Sequence, residues 1–372
     1  MSVANLKINE KYDFDVINDD DFVGHFALIH RGEILDQAKE LYGRENNKVC
    51  LKIFYKRPIT GDINNYFWGN KSEGKTVLRS SQFQNICYVR DLSPRVYDVF
   101  IIVWEDRRCV AQLVEDLGKH KDHSKMDWKT HEETLKKVIE INDEFGGNRT
   151  KKLDRFVNNS INGKYVDLQS FGLDKRVYAK YIRDLVDKNL YGRVYQTIPE
   201  IGVNEAFRDT GSRLADLGID EISFEGKTVL DLGCSNGQFC NYAYSRGAKR
   251  VVGVDLPWFF EPAFHLSNYL GNFNIDYFPL DLKKTSLGKI RNLTKIEKFD
   301  IVFFLSMITH VDFPEYIKEL VGELLVFEES GMQTDFMTSG GGSESILNNN
   351  FSNVEYRGHS RSHNRKVFWA RR

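Results

Sequence analysis

In the second half of the chain, short apolar runs alternate with stretches whose apolar residues recur every three or four positions. KTVLDLG (227–233) predicts a strand that runs into a glycine turn. GQFCNYAYSRG (237–247) predicts a helix ended by Gly247, and RVVGVDL (250–256) a second strand. A helix over 262–271 and a short strand over 275–282 follow. FDIVFFLSMI (299–308) is apolar throughout, as expected of a strand buried on both faces. A helix over 314–323, a strand over 324–330 and two closing strands complete the series, with a mobile loop expected at 337–350. Strands alternating with helices predict a doubly wound, mostly parallel α/β sheet.

The first half is patterned more loosely. Segments 48–55, 95–104 and 108–115 are rich in β-branched and aromatic residues and predict strands. In 131–145, Leu135, Val138, Ile139 and Ile141 lie near helical spacing, and 177–191 predicts a further helix. The end of that helix is the expected hinge. It divides the chain into a separate α+β domain over 1–190 and the α/β domain over 191–372.

Composition narrows the class. The chain has 372 residues, 41% of them hydrophobic and 28% charged, enough apolar material for two cores and too much for disorder. Its 52 basic and 53 acidic residues give a net charge of -1, which counts against a nucleic-acid partner without excluding a local basic patch. No run approaches the roughly 18 apolar residues of a membrane span, and the start of the chain lacks the pattern of a signal peptide. The five cysteines show no zinc-type spacing, and free thiols in a reducing cytoplasm are expected. No metal site is expected, and the oligomeric state is not legible.

The densest chemistry lies in VLDLGCSNG (229–237). The strand carries Asp231 to its carboxyl end, Gly233 permits a tight turn, and Gly237 opens the next helix. The glycine spacing is G-x-x-x-G, not the G-x-G-x-x-G of a dinucleotide site. A carboxylate beside the turn would repel a pyrophosphate and suits a cationic ligand. Asp255 ends the next strand at an offset suited to ribose hydroxyls, and Asp281 ends the third.

VLDLGCSNGQF, GVDL, PLDL and FDIVFFLSMITHV together resemble the ordered motifs of class I S-adenosylmethionine (SAM)-dependent methyltransferases, over roughly half of the chain. The resemblance implies a Rossmann-like fold and SAM as cofactor. It puts Asp231, Gly233 and Gly237 along the methionine moiety, Asp255 on the ribose and Asp281 at the adenine. It leaves Cys234, Ser235 and Asn236 in the variable part of the loop. The lead-in 195–213 resembles segments that close over the methionine end, which makes Tyr195 and Arg213 candidates for the cofactor carboxylate. A packed Tyr and a surface Arg are the alternative.

Methyl transfer needs an acceptor held in line and, for a hydroxyl, a base. His310, after the fourth strand, is the candidate base, and Asp312 the candidate to orient it; a structural loop histidine is the alternative. Glu328 and Glu329 are expected as substrate-facing or solvated charges. The absence of an N-P-P-Y motif points to an oxygen or carbon acceptor, such as a small-molecule or glycan hydroxyl. GKTVLDLGC and FFLSMITHV also resemble SAM-fold enzymes that alkylate wobble uridine in tRNA.

The first half is similar, more distantly, to the protein-kinase-like fold. VGHFALIHRG (23–32) resembles a glycine-bearing hairpin, and VCLKIF the strand that carries a phosphate-binding lysine, here Lys52. By that likeness Glu73 pairs with Lys52 from a helix, while Asp154, Asn159 and Asp167 take the places of the base and metal ligands. The glycine-rich lid and the His-Arg before Asp154 are missing, and DLQ replaces D-F-G. Such a domain joined to a methyltransferase resembles the bifunctional enzymes that cap bacterial polysaccharides, in reversed order.

Overall fold

The computed structural model describes residues 5–9, 12–16, 22–23, 28–34, 48–54, 73–104, 107–115, 117, 128–146, 160–161, 164–165, 168, 173–189, 194–307, 313–330, 342–361 and 364–372. These fall into two compact units, the first ending at Ala179 and the second running from Lys180 to Arg372.

The first unit is built on an antiparallel sheet. Its strands are β1 (Asn5–Asn9), β2 (Tyr12–Val16), β3 (Phe22–Val23), β4 (Leu28–Ile34), β5 (Lys48–Ile53), β6 (Val96–Trp104) and β7 (Arg107–Glu115). They lie in the order β1-β2-β4-β5-β7-β6, with β3 paired to β4. A two-stranded ribbon, β8 (Ser160–Ile161) and β9 (Lys164–Tyr165), stands apart. Lys52 lies on β5, the third strand counted from the β3–β4 hairpin, but two further strands precede that hairpin.

Helix α1 (Glu73–Val89) packs on β6 and β7. Its buried face is unusually polar, with Ser80, Ser81, Gln82, Gln84 and Asn85 all shielded from water. Such groups need partners inside the protein. Asn85 meets the Val96 backbone in both directions, accepting from its N–H at 2.8 Å and donating to its carbonyl at 3.1 Å. Gln112 on β7 donates to Ser81 at 2.8 Å. These pairs fix the helix against the sheet where apolar contact alone would leave it free to slide. Helix α2 (Trp128–Glu144) buries Leu135, Val138 and Ile141, as its spacing predicts. Helix α3 (Lys175–Asn189) begins in the first unit and continues into the second, and it buries Tyr178, Ile182 and Val186 at the same period.

In the second unit the lead-in helix α4 (Thr210–Asp216) precedes a seven-stranded sheet. The strands are β10 (Thr228–Leu232), β11 (Arg250–Asp255), β12 (Ile275–Pro279), β13 (Phe299–Leu305), β14 (Val321–Glu328), β15 (Asn353–Ser360) and β16 (Arg365–Arg371). Their order is β12-β11-β10-β13-β14-β16-β15. The first five are parallel, and β16 joins β14 antiparallel. Between them run α5 (Gln238–Ser245), α6 (Pro257–Leu270), α7 (Leu287–Thr294), α8 (Ile317–Leu320) and α9 (Gly342–Asn350). Strand order reverses at β10, with β11 on one side and β13 on the other, so a crevice opens at its carboxyl end. Every residue of β10 is buried, and Leu230, Val252, Val302, Phe304 and Phe327 share one core.

Several elements depart from the sequence pattern. Helix α6 begins at Pro257, not 262, because a proline fits the first helical position, where its missing N–H costs nothing. The helix expected over 314–323 shrinks to one turn: from Val321 the chain pairs with β13 instead, so tertiary pairing overrides local period. Strand β12 stops at Pro279, and Asp281 caps a following 3-10 turn instead of ending the strand. The segment expected as a mobile loop contains α9, whose Leu347 is fully buried in the main core with Ile346 packed against it. Glycines and asparagines hid an apolar pair that only the finished core exposes as a docking face.

Replacing Leu347 with Ala is expected to destabilise the C-terminal unit by about 2–4 kcal/mol, the cost of a cavity in a closed core. Urea unfolding measures it; a loss under about 0.5 kcal/mol, the range of surface changes, would show that α9 does not depend on this contact.

Candidate functional site

The β10–α5 turn is built from backbone and one carboxylate. Gly233 and Gly237 adopt φ of 87° and 74°, which other residues rarely adopt. Space enforces the same choice: a Cβ at 233 would strike the Met307 sulfur, and one at 237 the Tyr277 hydroxyl. Tyr277 is held there by Ser267 at 2.7 Å. The turn is stitched to β11, since the N–H groups of Gly233 and Cys234 donate to the Val254 carbonyl at 2.8 and 3.2 Å. The Ser235 N–H donates to Asp255 Oδ2 at 2.7 Å, and Ser235 itself sits at a positive φ of 50°.

Asp255 therefore arrives half committed. Its Oδ1 accepts the Leu256 N–H at 2.7 Å and its Oδ2 that of Ser235. Each oxygen keeps one acceptor direction, which suits a pair of vicinal hydroxyls. Burial pushes its pKa up to about 6 despite those two bonds. Asp231 is buried in the sheet, one residue from the strand's end, with the Cys240 thiol donating to it at 3.5 Å. Burial raises its pKa to about 7, and Asp255 adds to the rise. A cation bound beside Asp231 would reverse that rise. In the same turn Asn236 is fully buried with neither amide atom partnered, and Gln238 keeps an unpartnered Nε2. Open donors and acceptors of this kind cost about 1–3 kcal/mol each unless a ligand meets them. The turn thus offers two carboxylates, open amide groups and close backbone, as an adenosyl sulfonium with an ammonium group requires. The sequence reading set Asn236 aside, and only its burial marks it.

Asp281 lies partly exposed beyond β12, accepting from the Lys283 N–H at 3.0 Å, with Lys284 3.6 Å away. It stands on the Asp255 side of β10. On the other side, at the ends of β13 and β14, lies a cluster that the sequence did not reveal. Glu328, the last residue of β14, is completely buried, which corrects the expectation of a solvated charge, and Glu329 is nearly so. Arg213 donates to Glu328 Oε2 at 2.6 Å, and Arg208 to the same oxygen and to the Ser306 hydroxyl, each at 3.4 Å. The Ser306 hydroxyl also donates to Oε2, from a residue held at a φ of 60°. Burial alone would raise the Glu328 pKa, but Arg213 and Arg208 outweigh it and hold the carboxyl below its ordinary range.

The lead-in places these arginines by folding back on itself: the Arg208 N–H donates to the Tyr195 carbonyl at 2.9 Å, and that of Thr197 to the Arg208 carbonyl at 3.0 Å. The Tyr195 ring consequently lies 5.1 Å from the Arg208 guanidinium and 5.9 Å from that of Arg213. Asp209 caps α4 by accepting the Ser212 N–H, and Trp369 on β16 ties the helix's end to the sheet through the Leu217 carbonyl at 3.0 Å. Arg213 is thus neither a surface residue nor an uncommitted one. Its buried carboxylate partner sits 115 positions downstream, beyond the reach of local pattern.

His310 and Asp312 lie outside the described residues, as do Asp154, Asn159 and Asp167 and the side chain of Glu73. Lys52 is described, with its ammonium 5.7 Å from the Phe54 ring centroid. Among the described residues, no group of three or more His, Cys, Asp or Glu is placed to hold a metal, and no helix is long and apolar enough to cross a membrane.

Residues 215–312 match the family model of FtsJ-like methyltransferases. A tRNA U34 carboxymethyltransferase of Cellvibrio japonicus (strain Ueda107) is 30% identical over 103 residues, which is 27% of this chain and 30% of that protein. One from Pseudomonas aeruginosa (strain LESB58) is 34% identical over 90 residues, 24% of this chain and 26% of that protein. The chain therefore spans less than a third of the length of these relatives. Among solved structures, WbdD with a kinase inhibitor has a TM-score of 0.40 at 20% identity, covering 51% of this chain and 47% of that one. A putative SAM-dependent methyltransferase from Listeria monocytogenes has a TM-score of 0.27 at 22% identity, covering 32% of this chain and 55% of that one. Strand order, glycine turn and family match agree: the C-terminal sheet is a Rossmann-like methyltransferase core of the kind that uses SAM.

Between about pH 4 and 7, the raised pKa leaves Asp231 holding a proton in the folded protein that the unfolded chain releases. Its folded pKa of about 7 exceeds the ordinary 3.8, so its contribution favours folding below about pH 4 and is lost as pH rises towards 7. Asp231→Asn is therefore expected to stabilise the ligand-free protein above pH 7 by on the order of 2 kcal/mol. Thermal melts of both proteins across pH measure this; a variant less stable than the parent at high pH would contradict the assignment.

Proposed function

We propose that the chain is a SAM-dependent methyltransferase acting on a hydroxyl of a glycan or small molecule. The observation that carries the reading is Asp255. Its carboxylate is pinned by two backbone N–H groups beside a glycine turn, at the switch point of a parallel sheet, with one acceptor direction open on each oxygen. When bound, the cofactor supplies an electrophilic methyl group on a sulfonium centre. Asp255 then holds the ribose hydroxyls, Asp281 faces the adenine, and Asp231 balances the ammonium from within the sheet. Asn236 and Gln238 supply the open amide groups of the turn. His310, which follows β13 in sequence, takes the acceptor's proton, and Asp312 orients it. The N-terminal unit recruits the acceptor; it retains Lys52 on its sheet but lacks the glycine-rich lid that phosphoryl transfer needs.

A second reading, modification of a wobble uridine in tRNA, is supported by the printed function of the relatives that match the cofactor core. The net charge of -1 counts against it.

Calorimetry with SAM, S-adenosylhomocysteine and NAD tests the cofactor directly. The first two are expected to bind and NAD is not. Asp255→Ala is expected to weaken binding by about 1–3 kcal/mol, the worth of charged hydrogen bonds to buried hydroxyls. Tight NAD binding with none for SAM, or unchanged affinity in the variant, would overturn the reading.

A further inference from the structure

The two carboxylates of the cofactor turn are held in different ways. Asp255 accepts a backbone N–H on each oxygen. Asp231 receives none. Among the described residues, the Cys240 thiol is the one hydrogen-bond donor to its side chain, 3.5 Å from Oδ2, and Oδ1 has no donor. A thiol is a weak donor, so it orients Asp231 more than it stabilises the charge. The strands on either side add nothing polar: the residues that face Asp231 in register are Gly253 on β11 and Phe303 on β13.

The thiol itself is firmly directed. Cys240 is the third residue of α5 and fully buried. Its sulfur accepts from the Cys234 thiol and the Tyr277 hydroxyl, and Tyr277 shares a further hydrogen bond of 2.7 Å with Ser267. With those donors on the sulfur, the Cys240 proton is left to Asp231, and in such a chain each bond polarises the next. Gly253 makes room for the arrangement: a Cβ there would stand 2.7 Å from the Tyr277 ring and 2.9 Å from the Cys234 sulfur. Burial raises the Cys240 pKa to about 11, so the thiol keeps its proton and stays a donor across the range in which Asp231 titrates. A cysteine kept only to fill space has no need of three polar side chains converging on it.

The charged groups around Asp231 do not replace this thiol. Burial drives the Asp231 pKa up most, and the Cys240 bond opposes that rise more than any other group. Asp255 on β11 adds to the rise, and Arg213 on α4 lowers it, but Glu328 already holds the Arg213 guanidinium at 2.6 Å. Cys234 and Tyr277 stay uncharged, since burial pushes both far up. An ammonium pairs with the ionised carboxylate and not with the acid. We propose that Cys240 is a positioning residue for the cofactor: its thiol holds Oδ2 of Asp231 so that the ionised carboxylate presents Oδ1 to the ammonium of the methionine end. The proposal rests on the cofactor reading above. It makes Cys240 the residue that sets the pH range over which the cofactor binds.

The test measures the affinity of the full chain for S-adenosylhomocysteine and for methylthioadenosine by calorimetry, from about pH 5.5 to 8. Methylthioadenosine keeps the adenosine but has no ammonium, so it carries the pH dependence that belongs to Asp255 and not that of Asp231. In the parent, the preference for S-adenosylhomocysteine is expected to rise with pH and level off at about 7. Cys240→Ala is expected to move that bend up by about one unit, read as roughly tenfold weaker S-adenosylhomocysteine binding at about pH 6. Methylthioadenosine binding should not change, which also shows that the fold is intact. Cys240→Ser, which restores a donor, is expected to restore the parent's profile. Equal losses for both ligands at every pH would make Cys240 a packing residue and overturn the proposal. So would a parent preference that is flat with pH, an unchanged profile in Cys240→Ala, or a serine variant that behaves as the alanine. A parent that binds neither ligand would instead remove the cofactor reading, and this inference with it.

Discussion

Glu328 is the point through which the C-terminal unit holds its lead-in to its sheet. The carboxylate lies at the end of β14, wholly out of water, and draws Arg208 and Arg213 from the lead-in and Ser306, directly after β13, onto one oxygen. Removing a buried carboxylate from such a group leaves uncompensated guanidinium charge, which is why these residues act as a unit. The contact holds Arg208 beside the Tyr195 ring. The apolar core beneath supplies the bulk of the folding energy but no such specificity: Phe304, Phe313 and Phe327 would tolerate small slips, whereas a carboxylate with two arginines would not.

The cofactor turn relies on a different constraint. Its glycines are dictated from behind, by Met307 and Tyr277 packed where side chains would otherwise stand. The ligand-facing chemistry is carried by carboxylates that burial has raised, Asp231 to about 7 and Asp255 to about 6. Both are held at a cost to the ligand-free fold, a common arrangement where binding later recovers what folding gives up. Asp255 and the arginine cluster lie on opposite sides of β10, with Asp231 on that strand between them.

Much of this unit was legible in the sequence because its signals are local. KTVLDLG, RVVGVDL and FDIVFFL announce buried strands, and Asp231, Gly233, Gly237 and Asp255 declare the turn by spacing alone. What escaped was encoded at long range. Glu328 read as a solvated charge because its partners lie 115 and 120 positions away. Arg208 carried no motif at all, and Ser306 is marked only by its backbone conformation. Helix α9 was hidden by asparagines around Leu347, whose burial depends on a core built from five other strands. In the N-terminal unit, α1 escaped a hydropathy reading because serine, glutamine and asparagine share its buried face with Val77, Phe83 and Ile86, with Asn85 and Ser81 partnered by Val96 and Gln112.

The most direct test of the central claim is a crystal structure of the full chain with S-adenosylhomocysteine. The ribose hydroxyls are expected on the two open acceptor directions of Asp255, with the amino group near Asp231. The homocysteine sulfur should point towards the ends of β13 and β14. Adenosine bound elsewhere, or a ribose that leaves Asp255 untouched, would contradict the account.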